Sequence, residues 1–133
     1  MSATYVFSLD TSQQQQLGFD SVKSTPELVV TFISLVILPP IVEEIVFRGF
    51  VFPGLRTRFK FVRAALITGL LFAVPHLFAS SEGLLWVAGI DTLLLSFVLC
   101  YLREKTGALW APIALHGFKN AVAFVVLFSG LVG

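Results

Sequence analysis

The sequence has 133 residues, 56% of them hydrophobic and 13% charged, with a net charge of +1. That is enough chain for one domain. Its mean hydropathy of +0.90 and apolar excess over the roughly 45–50% of soluble domains point to an integral membrane protein. The near-neutral charge excludes a nucleic-acid footprint, and the single Cys100 excludes an internal disulfide or a cysteine metal cluster.

Residues 1–25 are polar and include the run Gln13 to Gln16. No basic stretch followed by an apolar core marks a signal peptide there, so this part reads as an extramembrane tail or loop. Ser24-Thr25-Pro26-Glu27 predicts a helix start, with a capping hydroxyl, proline in the first turn and an acid at the positive dipole end. Residues 26–133 then read as an all-α, polytopic membrane bundle of four transmembrane helices. The apolar segments run from about Leu28 to Leu55, Phe61 to Ala79, Leu84 to Leu102 and Leu109 to Leu131, each near the ~20 residues that span a bilayer. Pro39-Pro40 is expected to kink the first segment and Pro53-Gly54 to end it.

Basic residues cluster in alternate connections. Arg56, Arg58, Lys60 and Arg63 lie in the first, none in the second, and Arg103 and Lys105 in the third. The positive-inside rule places the first and third in the cytoplasm and both chain ends outside. The bilayer lipid is thus the expected surrounding partner.

Charge inside such segments is expensive, about 2.5–3.5 kcal/mol per group at bilayer depth on insertion scales, so it pairs or serves a function. Ile41 to Phe50 carries Glu43, Glu44 and Arg48 in an otherwise apolar run. Glu44 and Arg48 are four apart and share a helical face, which predicts an ion pair acting as a brace. Glu43 lies roughly 100° around the helix and is left for chemistry.

Depth brings further polar residues to the same level. At 1.5 Å per residue, Glu43 sits roughly 18 Å from the cytoplasmic end of its helix, His76 about 20 Å, His116 about 12 Å and Asn120 about 18 Å. His116 and Asn120 share a face, as do Phe72 and His76. Asp91 also falls near mid-depth, where Lys119 either reaches it or snorkels to water. Gly49, Gly69, Gly89 and Gly117 are expected to allow close helix contact.

Peptide hydrolysis needs an activated water and an anchor for the developing oxyanion. Glu43 is the candidate general base. His76 would share the water or bind a metal, and His116 with Asn120 offers two donors on one face. Glu43, His76 and His116 also make an acid–two-histidine set that zinc would accept with one open position. The sequential His-Glu-x-x-His spacing of zincins is absent.

Three motifs in order, Glu43-Glu44-x-x-x-Arg48, Phe72-x-x-x-His76 and His116-x-x-x-Asn120, resemble one family. So does the approach Arg103-x-x-Thr106-Gly107-Ala108-Leu109-Trp110-Ala111-Pro112-Ile113. This is the CPBP family of CAAX-protease and bacteriocin-processing enzymes, also called Abi, which includes the Ras-converting CAAX endopeptidases. The resemblance covers about Leu28 to Phe128. It implies an intramembrane endopeptidase in which Glu43 and His76 hold and deprotonate the attacking water. His116 and Asn120 would orient substrate and stabilise the oxyanion, or His116 would help hold a metal. Glu44 and Arg48 would support the site, beside Phe72. Both a zinc-dependent and a metal-free glutamate mechanism have been argued for such enzymes. The substrate would be a peptide or protein, prenylated or a leader peptide, and the location a bacterial cytoplasmic membrane. Members normally carry further helices before the double glutamate, so a truncated or minimal core is expected here. The rival expectations are a proton- or ion-handling protein and a catalytically silent immunity or scaffold protein.

Overall fold

The computed structural model describes residues 24–79 and 83–128, and the polar tail before Ser24 lies outside them. Helix α1 spans Thr25–Arg56, α2 Phe61–Leu77, α3 Trp86–Thr106 and α4 Trp110–Phe128. There is no strand among the described residues. α1, α3 and α4 are long and apolar enough to cross a membrane, whereas α2 is an apolar helix of 17 residues.

The start of α1 forms as its sequence dictates. The Ser24 hydroxyl accepts from the Glu27 N–H, and the Glu27 carboxylate accepts from the Ser24 N–H. This reciprocal box satisfies two of the donors a helix start leaves open.

Further along, α1 widens twice into π-helical turns, at Ile33–Ile37 and Ile45–Val51. The Leu38 N–H reaches back five residues to the Ile33 carbonyl, and the Phe52 N–H to that of Phe47. Prolines follow each wide turn after one intervening residue: Pro39 and Pro40 after the first, Pro53 after the second. A proline ring crowds the preceding turn and brings no N–H, and a widened turn accommodates it without breaking the helix. The expected kink is thus met by a π turn. The expected stop at Pro53-Gly54 is corrected, because the helix continues to Arg56.

The tight connections gather at one end. Arg56 grips the Glu104 carboxylate with two nitrogens, at 2.6–3.2 Å, so the end of α1 is pinned to the end of α3. Gly107 closes α3 in the left-handed conformation at φ 68°, its N–H returning to the Arg103 carbonyl. Only glycine enters that region without steric cost. Between α2 and α3 the Leu85 N–H bonds the Leu77 carbonyl, and a Cβ on Gly89 would stand 2.2 Å from Leu77 Cδ2. Gly69 also faces α3 closely, with Leu93 Cδ1 2.9 Å from where its Cβ would be, while Gly49 and Gly117 meet neighbours only at ordinary contact.

Phe52, Ala64, Ala65 and Cys100 make a small core, with Phe61 edge-on to Phe52, Phe97 and Tyr101. Elsewhere the usual sorting is inverted. Phe50 is 73% exposed and Phe118 67%, while Glu44 and Arg48 are completely buried. An apolar exterior around a charged interior suits hydrocarbon as the solvent.

Candidate functional site

The site is built where α1 widens for the second time. Glu44 ends the α-helical stretch before that turn and Arg48 lies within it. Arg48 Nη1 donates to Glu44 Oε1 at 2.9 Å, the expected i, i+4 pair. The other Arg48 terminal nitrogen donates to Ser96 on α3, at 2.6 Å to the hydroxyl and 3.2 Å to the carbonyl. The guanidinium also lies over the Phe72 ring at 4.6 Å and near that of Phe47 at 5.9 Å. Three helices therefore close on one cation.

Glu44 Oε1 accepts a second bond. His116 Nδ1 of α4 lies 2.9 Å away. The opposite ring nitrogen, Nε2, stands 3.7 Å from Glu43 Oε2. The two adjacent glutamates thus hold opposite edges of one imidazole. The sequence reading gave Glu43 the imidazoles and Glu44 only the arginine. In the structure the tighter histidine contact belongs to Glu44, while Glu43 is the more open of the two, with its side chain 30% exposed.

His76 joins through Phe72. Its Nδ1 lies 3.0 Å from the Phe72 carbonyl. A carbonyl can only accept, so Nδ1 carries the hydrogen, which in the neutral tautomer leaves the lone pair on Nε2. The Phe72 ring packs against His76 at 5.3 Å and edge-on against His116 at 5.7 Å. Glu43 lies within electrostatic reach of both histidines. α1, α2 and α4 meet at His116, which contacts Glu44 and Phe72, while among the described residues no hydrogen bond or ion pair joins His76 to Glu43.

Asn120 is engaged differently from the expectation. Its amide nitrogen donates to the Leu35 carbonyl of α1 at 3.0 Å. The residues four and five beyond Leu35 are Pro39 and Pro40, so neither α- nor π-type bonding can satisfy that oxygen. Asn120 fills the vacancy from across the bundle.

Lys119 and Asp91 pair directly, as one of the two sequence alternatives had it, with both side chains substantially exposed. The zinc set expected from the sequence is Glu43, His76 and His116. Among the described residues, no three His, Cys, Asp or Glu side chains form a group that could hold a metal ion. His76 Nδ1 is turned to a backbone carbonyl and His116 Nδ1 to Glu44, which leaves Nε2 of each ring for a water or an ion.

The sequence reading missed Ser96 and gave Arg103 no role beyond its motif and the charge of its loop. Arg103 Nε donates to the Arg48 carbonyl at 3.1 Å. Ser96 carried a usable signal, a lone hydroxyl in the apolar stretch Leu93 to Leu99, where such residues bond across helices.

An all-helical apolar bundle with acids, imidazoles and a guanidinium sequestered at its centre defines a class of polytopic membrane protein with a polar intramembrane site. Within that class, residues 25–122 match the family model described as "Type II CAAX prenyl endopeptidase Rce1-like", and the chain belongs to that family of membrane proteases. It is 33% identical over 109 residues to an Escherichia coli protein named "Uncharacterized 24.3 kDa protein", covering 80% of this chain and 48% of that one. It is 30% identical over 126 residues to the Bacillus subtilis protein named "Putative membrane peptidase YdiL", covering 94% of this chain and 47% of that one. The chain thus spans about half the length of the curated relatives it matches. No solved structure matches it.

Proposed function

We propose that residues 26–133 form the catalytic core of an intramembrane endopeptidase that hydrolyses a peptide bond of a membrane-associated substrate, prenylated or a leader peptide. The observation that carries this reading is the 3.7 Å gap between Glu43 Oε2 and His116 Nε2, with His116 anchored behind by Glu44. A gap beyond direct bonding but within reach of one bridging water is where a nucleophile can be held.

Glu43 takes a proton from that water as hydroxide oxygen adds to the scissile carbonyl carbon. The same carboxyl then delivers the proton to the departing amine. His76 orients the water through its Nε2 lone pair. The second amide hydrogen of Asn120 faces the oxyanion, and so does His116 Nε2 when the ring is doubly protonated, its Nδ1–H being given to Glu44; removing one such donor typically costs on the order of 10²–10³ in kcat. Glu44, Arg48 and Phe72 hold the imidazole and ring edges in place. Each step uses this chain's own side chains, a metal-free route. The basic end bearing Arg56 to Arg63 and Arg103 to Lys105 is assigned to the cytoplasm.

The test is cleavage of prenylated CAAX peptides and single-pass segments by the protein in liposomes, with metal analysis of the same preparation. Glu43→Gln and His76→Ala are expected to abolish turnover while leaving the fold intact. Full turnover by either variant overturns the assignment, and stoichiometric zinc in the active protein overturns the metal-free route.

A further inference from the structure

The second wide turn of α1 has an unbonded carbonyl of its own. The Arg48 oxygen would accept from Phe52 in an α-turn or from residue 53 in a π turn. The Phe52 N–H is committed to the Phe47 carbonyl, and residue 53 is a proline, which has no N–H. Arg103, half-buried on α3, donates Nε to this oxygen at 3.1 Å across 55 residues of sequence. Its neighbour Glu104 is clamped by Arg56 with nitrogens at 2.6 and 3.0 Å, which fixes the end of α3 against the end of α1. A cation placed on an open carbonyl is favoured by the same electrostatics that favour cations at helix C-termini.

We propose that Arg103 is a positioning residue. It supplies the donor that Pro53 withholds from the Arg48 carbonyl, and so holds the turn Ile45–Val51 in the register that aims the Arg48 guanidinium at Glu44 and Ser96. Arg103 touches no reacting atom. It acts through Arg48, which steadies Glu44, which anchors His116. The activity arm of this inference rests on the endopeptidase reading above, whereas the register itself does not.

The experiment is a double-mutant cycle of Arg103→Met and Pro53→Ala in liposomes, since alanine at 53 carries the N–H that an i+5 bond needs. Arg103→Met is expected to lower kcat on the order of 10²-fold with KM unchanged, as misplaced catalytic groups do. Pro53→Ala alone is expected to be close to wild type, and the double variant to recover most of the lost kcat. A double variant as slow as Arg103→Met, or a loss confined to KM, overturns the proposal. Should the wild type cleave none of the substrates, the endopeptidase reading fails, and thermal melting of the same four proteins decides the register. The Tm drop from Arg103→Met is expected to vanish in the Pro53→Ala background; a drop of equal size in both backgrounds overturns the inference.

Discussion

His116 Nδ1 lies 2.9 Å from Glu44 Oε1, so the second glutamate of the pair, itself fully buried, anchors the imidazole of the fourth helix. Glu43 reaches the other edge of the ring at 3.7 Å. Neighbouring acids on one helix thereby take opposite edges of one ring. Glu44 Oε2 and Arg48 Nε are buried with no hydrogen-bond partner among the described residues. A charge pair satisfied only in part is weak evidence for stability, and its place beside His116 gives it a positional purpose.

Glu44→Ala leaves the Arg48 cation buried without its counter-charge. Breaking such a pair typically costs about 3–5 kcal/mol, whereas replacing both partners by apolar residues of similar volume is often neutral. Thermal unfolding in detergent should therefore show a large loss for Glu44→Ala and a recovery for Glu44→Leu with Arg48→Met. The double variant should remain inactive, because His116 has lost its anchor. Equal stability of Glu44→Ala and wild type would contradict the assignment.

Ser96→Ala removes the 2.6 Å bond from Arg48 Nη2 and leaves only the longer bond to the Ser96 carbonyl. Hydrogen bonds to charged groups contribute about 1.5–3 kcal/mol, and a loss in that range is expected. Ser96→Thr keeps the hydroxyl and should lose less. A silent alanine substitution would mean that the α3 contact is incidental.

Asn120 can be separated into two roles. Asn120→Ala strips the Leu35 carbonyl of its donor and should cost about 1–3 kcal/mol, the penalty for an unsatisfied buried group. Pro39→Ala restores an N–H four residues on and should return stability to Asn120→Ala. Turnover should stay low in that double variant if the amide also serves the oxyanion. Full recovery of turnover would confine Asn120 to architecture.

Gly89→Ala puts a Cβ 2.2 Å from Leu77 Cδ2 and 2.6 Å from Leu77 Cγ. Leu77 must move, and overpacking of this kind costs about 1–3 kcal/mol. The companion Leu77→Ala should relieve much of it. Melting curves for the two singles and the double provide the check, and additive losses would exclude contact between the residues.

The helix count, the membrane class and the Glu44–Arg48 pair were legible because hydropathy and i, i+4 spacing report them directly. Asp91 with Lys119 was also within reach, since unmatched charges at depth seek one another. The π turns were not. Hydropathy is blind to hydrogen-bond register, and the visible trace was only that Pro39, Pro40 and Pro53 withhold donors. Ser96 and Arg103 meet Arg48 across 48 and 55 residues, a separation at which no periodicity of a single helix speaks. That the closer contact to His116 belongs to Glu44 and not to Glu43 also escaped, because the rotation of α1 that selects the nearer carboxylate depends on a widened turn.

Two of the carbonyls that prolines leave open in α1, at Leu35 and Arg48, receive their hydrogens from Asn120 and Arg103. Both donors are translated after the span they complete. A nascent chain therefore carries α1 with these carbonyls open until α3 and α4 have followed it. Biogenesis and assembly of the polar centre are then a single event.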